Sequence, residues 1–172
     1  MADKAVFCIA KSEGQAVRIV EDARDAGFTG NDISVLFPDK GTSREFAHEK
    51  QTKAPEGAAT GALTGGVLGG IAGWLVGIGS LAIPGLGPFV AAGPIMAALG
   101  GVAAGATAGG ITGALVGMGV PEFEAKRYEG RVKEGNILIS VHADDRNEVS
   151  RAKDIMKRAG ADDISTAGEA AA

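Results

Sequence analysis

Apolar and polar positions divide the chain into three stretches of different period. Lys4 to Ala10 (KAVFCIA) is a short apolar run closed by charges, the pattern of a buried strand. Ser12 stands as a helix N-cap, and Ala16, Val17, Ile19, Val20 and Ala23 then recur at helical spacing until Ala26-Gly27 stops them. Asp32 to Phe37 predicts a second strand, ended by Pro38-Asp39. Lys40 to Pro55 is polar without a periodic apolar face, which reads as a linker.

The C-terminal stretch repeats this grammar. Pro121 opens a helix whose first turn carries Glu122 and Glu124 in favourable relation to the helix dipole, with Ala125, Tyr128 and Val132 along one apolar side. Ile137 to Val141 predicts a third strand, and Asp144 or Asp145 caps a further helix with Val149, Ala152, Ile155, Met156 and Ala159 inward. Asp163 to Thr166 is a short fourth strand. Asn31-Asp-Ile-Ser34 and Asp162-Asp-Ile-Ser165 occupy equivalent places after the two helices, so each flank is a βαβ unit. Two such units predict an α+β fold, a ferredoxin-like βαββαβ domain with its helices on one face of an antiparallel sheet.

Between the flanks lies a different pattern. From Gly57 to Pro121 no Asp, Glu, Lys or Arg occurs, and 20 of the 28 glycines fall inside that run. Gly57, Gly61, Gly65, Gly69, Gly73 and Gly77 follow one another at fourth-residue intervals, and so do Gly101, Gly105, Gly109, Gly113 and Gly117, a row that Gly93 and Ala97 extend backwards. Glycine costs a helix about 1 kcal/mol per residue against alanine, so a close neighbour must offset rows of this kind. A fourth-residue row drifts about 40° per step around the helix, which implies more than one such neighbour. The length and the absence of charge predict a Gly-rich transmembrane helical hairpin, a pair of glycine zippers inserted between the second and third strands. The connector Ser80 to Pro94, with three prolines and no charge, is expected to dip into the membrane interface or to form a re-entrant turn.

The expected division is therefore 1–55 (first βαβ half and linker), 56–120 (glycine-zipper hairpin) and 121–172 (second half). Lys50, Lys53, Lys126, Arg127, Arg131 and Lys133 crowd the outer ends of the hairpin, which predicts a bacterial inner membrane location with both flanks cytoplasmic. A formal net charge of −4 gives no electrostatic ground for a nucleic-acid partner. The expected partners are membrane lipid and other copies of the chain, as a homo-oligomer.

Candidate chemistry is sparse. The single cysteine, Cys8, sits in an apolar strand and reads as a small core residue. His48 in the linker and His142 after a strand have no metal-ligand partner at helical spacing. Gly65-Gly66 is not followed by Gly-Lys-Ser/Thr, so a phosphate loop is excluded. No catalytic, cofactor or metal residues are expected, and the chain reads as a non-enzyme.

Ala5-Val-Phe and Asp32-Ile-Ser-Val-Leu, Ile83-Pro-Gly-Leu-Gly-Pro-Phe-Val-Ala-Ala-Gly-Pro94, and Gly119-Val-Pro-Glu-Phe-Glu-Ala-Lys-Arg-Tyr-Glu129 followed by Gly135-Asn-Ile-Leu-Ile resemble a bacterial family. It is the general-stress-protein-like group, with heat-induced and low-temperature-induced members that carry a glycine-zipper membrane segment. The resemblance implies a stress-related membrane protein that self-assembles to organise or stabilise the membrane. The alternatives are a cytoplasmic sensor or docking module tethered to the membrane, and an oligomeric pore.

Overall fold

The apolar strands owe their character to a sheet that is covered on both faces. The computed structural model of the protein describes residues 4–38, 79–83, 87–95, 98–99 and 110–168. Along it run β1 (Lys4–Ala10), α1 (Glu13–Asp25), β2 (Ile33–Pro38), β3 (Gly79–Ile83), β4 (Gly87–Ala92), α2 (Gly110–Gly117), α3 (Glu122–Lys133), β5 (Ile137–Ala143), α4 (Arg146–Arg158) and β6 (Asp162–Gly168). The six strands form one sheet in the order β3-β4-β2-β5-β1-β6, and every neighbouring pair is antiparallel. β5 therefore separates β1 from β2, and β1 separates β5 from β6. Each βαβ unit encloses a strand of the other.

Alternation along the strands sends two sets of side chains to two cores. Val6, Cys8, Ile33, Val35, Ile139 and Val141 pack beneath α1 and α4, which contribute Ala16, Ile19, Val20, Ala152, Ile155 and Met156. Phe7, Ile9, Leu36 and Leu138 face the other way, onto Ile95, Leu99, Ile111, Leu115, Tyr128 and Val132. Each fully buried large side chain contributes about 1.5–3 kcal/mol of transfer free energy, so neither face is a minor attachment. Ser34 and Ser140, directly opposite one another on β2 and β5, are the buried polar residues of the described core. The Ser34 hydroxyl accepts the backbone N–H of Ile95 at 3.2 Å, which ties the chain after β4 to the sheet.

Local signals set the helix ends where the sequence places them. Ser12 accepts the Gln15 N–H at 3.2 Å, and Asp145 accepts from Asn147 and Glu148 at 2.7 and 2.8 Å. The α+β class is as expected, but the sheet departs from expectation in two ways. Helices lie on both of its faces, and β3 and β4 extend it beyond β2.

The second difference corrects the reading of Ser80 to Pro94. Those residues supply most of a β-hairpin, and β4 pairs with β2 from Val35↔Ala92 to Pro38↔Phe89. Among the described residues no helix is long and apolar enough to cross a membrane, which overturns the transmembrane helix as far as these residues extend. α2 has eight residues and buries Ile111, Ala114 and Leu115, with Met118 following in the same core. Lys40 to Pro55 and Gly57 to Gly77 lie outside the described residues.

Candidate functional site

α3 is the element that joins the second core to the end of the sheet. Its inner side carries Ala125, Tyr128 and Val132 at helical spacing, and the Tyr128 ring packs on Phe7 with centroids 6.0 Å apart. Beyond the ring, the Tyr128 hydroxyl donates to the Asp163 carbonyl oxygen at 2.6 Å and meets the Ser165 hydroxyl at 2.7 Å. Burial is the main reason that its phenol is held well above the ordinary range, and the Ser165 hydrogen bond opposes that shift.

Asp163 has φ +51°, a left-handed conformation that Asp tolerates better than most residues, where the β1–β6 register shifts between Phe7 and Ile9. The bulge turns its carboxylate onto α3. With 6% of the side chain exposed, that carboxylate pairs with Arg127 and accepts Arg131 Nε at 2.9 Å. Neighbouring Asp162 bridges Lys11 Nζ at 2.8 Å and Arg131 Nη2 at 3.2 Å. Two adjacent carboxylates thus gather cations from α3 and from the β1–α1 corner. The arrangement is a mechanical joint between a helix and a strand end.

A second clasp holds α2 to α3. The Glu129 carboxylate accepts the Thr112 backbone N–H at 3.0 Å and the Thr112 hydroxyl, and pairs with Lys133 at 2.7 Å. Burial pushes the Glu129 carboxyl up, but the hydrogen bonds from Lys133 and Thr112 outweigh it and hold it below its usual value. On the outside of this helix pair, a Cβ built on Gly113 or Gly117 meets nothing within 4 Å among the described residues, while Val116 is 43% and Phe123 79% exposed.

Of the glycines expected to form packing rows, Gly113 and Gly117 fall in α2, away from the buried Ile111, Ala114 and Leu115. Gly57, Gly61, Gly65, Gly69, Gly73, Gly77, Gly101, Gly105 and Gly109 lie outside the described residues, as does His48. Gly93 has another duty: with φ +80° it makes the turn after β4, pressed against the Ile33 backbone. Cys8 is wholly buried, and desolvation pushes its thiol far up, as befits a core side chain. His142 donates its backbone N–H to Asp32 at 2.7 Å and places Nε2 3.2 Å from Asp144. Among the described residues no group of three His, Cys, Asp or Glu side chains is placed to hold a metal. Sequence reasoning missed the Asp163 joint, whose partners lie more than 30 positions away with no periodic signal to link them.

The family model described as "Alternative complex III, ActD subunit" matches residues 5–166. The chain belongs to the ActD family. That match spans both flanks and the whole glycine-rich centre, and it overturns the likeness to general-stress proteins together with the stress function and the zipper-driven self-assembly drawn from it. The residues that carried that likeness explain the error. Ile83 to Pro94 contains β4 and the Gly93 turn, and Gly119 to Glu129 contains the corner between α2 and α3. They record how the chain folds, not what it does. An ActD subunit has other subunits of its complex as partners, so the expected homo-oligomer is corrected as well. Alternative complex III is a respiratory electron-transfer complex, associated with the membrane in bacteria. No match was found among curated proteins or among solved structures.

Proposed function

We propose that this chain is a non-catalytic, accessory subunit of an alternative complex III, in which it serves assembly rather than electron transfer. The observation that carries the reading is the family match over residues 5–166, which leaves few residues of the chain outside an ActD subunit. The architecture supports it. The described charged side chains with the strongest pairing, Arg127, Arg131, Asp162 and Asp163, are spent on joining α3 to β6. Cys8 is sealed in a core.

We place the subunit at the cytoplasmic face of the bacterial inner membrane. The support is the crowding of Lys50, Lys53, Lys126, Arg127, Arg131 and Lys133 at the two ends of the charge-free run. We read the β1-α1-β2 and β5-α4-β6 units as a ferredoxin-like core, on the strength of the strand order β2-β5-β1-β6 and of α1 and α4 sharing one face. On that core the β3–β4 hairpin and the α2–α3 layer are additions.

The experiment is a strain that lacks this chain. The account expects the remaining subunits to be recovered in reduced yield, with electron-transfer turnover per assembled complex unchanged. Loss of turnover in a complex that still assembles fully would assign the chain a catalytic part and defeat the reading.

A further inference from the structure

We infer that the outer edge of β6 takes up an acidic, extended segment of another subunit as a further strand of the sheet. The inference rests on the reading of the chain as a complex subunit and adds the surface and the chemistry of the partner.

β6 ends the sheet among the described strands, so it has a strand partner, β1, on one side only. A strand in that place presents a row of backbone N–H and C=O groups that matches another extended chain. After the Asp163 bulge, Ile164 to Gly168 has none of the lysines or prolines that protect such edges.

Charge defines the segment. α4 turns about 100° per residue, which brings Arg146, Lys153 and Lys157 within about 40° of one another on one flank. The opposite flank faces α1, where Arg151 donates to the Ala26 carbonyl oxygen and the Ala159 carbonyl oxygen accepts from Gln15. Because α4 packs on β5, β1 and β6, its cationic flank lies on the β6 side of the sheet. Lys4, on the strand face shared by Val6 and Cys8, prolongs the row opposite Gly168. From Arg146 to Lys157 the helix rises about 17 Å. β6 itself is about 20 Å long, so the row accompanies the strand.

Lys4, Arg146, Lys153 and Lys157 form no ion pair among the described residues. The acids nearby serve other cations: Asp162 pairs with Lys11 and Arg131, Asp163 with Arg127 and Arg131, and Glu148 with Arg151. Every second side chain of an added strand would face the row, and carboxylates at those positions supply the charge it lacks. The same geometry disfavours other occupants. A flat anionic membrane would first meet the crest of α4, where exposed Asn147, Ser150 and Asp154 stand and the one charge is negative. Two copies paired antiparallel at β6 would set their cationic rows side by side.

The test uses the full chain, tagged in its own host, with the complex purified from native membranes. Arg146→Glu combined with Lys157→Glu is expected to lower recovery of partner subunits about ten-fold, whereas Arg146→Lys with Lys157→Arg retains it. Both residues are exposed, and a glutamate favoured at the start of α4 offsets one disfavoured at its end, so melting of the purified chain changes little. In the assembled wild type, the amides of Ser165 to Gly168 that exchange quickly in the free chain are expected to slow about ten-fold or more. If the wild type brings down no partner subunits, the reading of the chain as a complex subunit fails. If it brings them down and the glutamate variant does so equally well, the acidic strand is refuted while that reading stands. Should the glutamate variant melt early, hydrogen exchange decides, since β6 amides no slower in the complex than in the free chain overturn the inference by themselves. So does a glutamate variant that keeps its partners but loses binding to phosphatidylglycerol vesicles, and so does a tagged chain that recovers only untagged copies of itself.

Discussion

Gly93 and Ile33 meet backbone to backbone. A Cβ on Gly93 would fall on the Ile33 carbonyl oxygen and within 3.0 Å of Ser34 Cα, and φ there is +80°. The contact seats the chain after β4 against β2, where Ser34 then accepts the Ile95 N–H. Gly93→Ala meets both a left-handed backbone and a rigid neighbour, so it is expected to cost about 2–4 kcal/mol. Chemical denaturation checks this; a loss below about 1 kcal/mol would show that the approach is not constraining.

Asp163 is held by charge and by backbone at once. Asp163→Asn keeps a side chain that tolerates the left-handed conformation but loses the charge facing Arg127 and Arg131. Asp163→Ala loses both. The expected order of stability is wild type, then Asn, then Ala. The first step is worth about 1–3 kcal/mol, because Arg127 is 60% exposed and its unpaired charge can regain water. Equal melting of the three proteins would show that the joint contributes nothing.

The α2–α3 clasp is acid-sensitive. The Glu129 carboxyl sits below its usual value of 4.5, burial notwithstanding, because Lys133 and Thr112 hydrogen-bond the charged form. A group depressed in this way contributes stability above its unfolded value and loses it as the pH falls through its folded value. Hydrogen exchange in α2 is therefore expected to speed up relative to α4 as the pH drops below about 4.5. In Glu129→Gln that extra acid sensitivity disappears. A variant that keeps the wild-type pH profile would place the effect elsewhere.

Cys8 sets a clock on unfolding. Its thiol is buried and pushed far up by desolvation, so the nucleophilic thiolate is scarce and enclosed in the native state. A thiol reagent is expected to label it only as fast as the chain opens, and denaturant accelerates labelling in parallel with loss of structure. Stoichiometric labelling within the mixing time of the native protein would contradict the core assignment.

Much of this fold is legible in the residues, and the failures have identifiable causes. KAVFCIA reads as a strand because both of its faces are buried, which leaves no polar alternation to confuse it. α1 and α4 are legible through Ser12 and Asp145, whose side chains cap them. The hairpin β3–β4 is not. Its Gly-Pro and Ala-Ile-Pro steps carry turn chemistry, and Gly87–Ala92 becomes a strand through pairing with β3 and with β2, the latter more than 50 positions away. In α2 the fourth-residue glycines outshine the apolar row that packs, Ile111, Ala114, Leu115 and Met118. Nothing in the apolar run itself distinguishes a second core layer from a membrane segment, because both remove charge. Asp162-Asp163 is visible as an echo of Asn31-Asp32, yet its cations come from α3 and from the β1–α1 corner, far off in the chain.

The central claim, that the chain is a subunit among other subunits, is tested most directly by native mass analysis of material purified through a tag on this chain from its own membranes. The account predicts one assembly that contains the chain together with different, cofactor-bearing electron-transfer subunits. A chain recovered alone, or only with copies of itself, would contradict it.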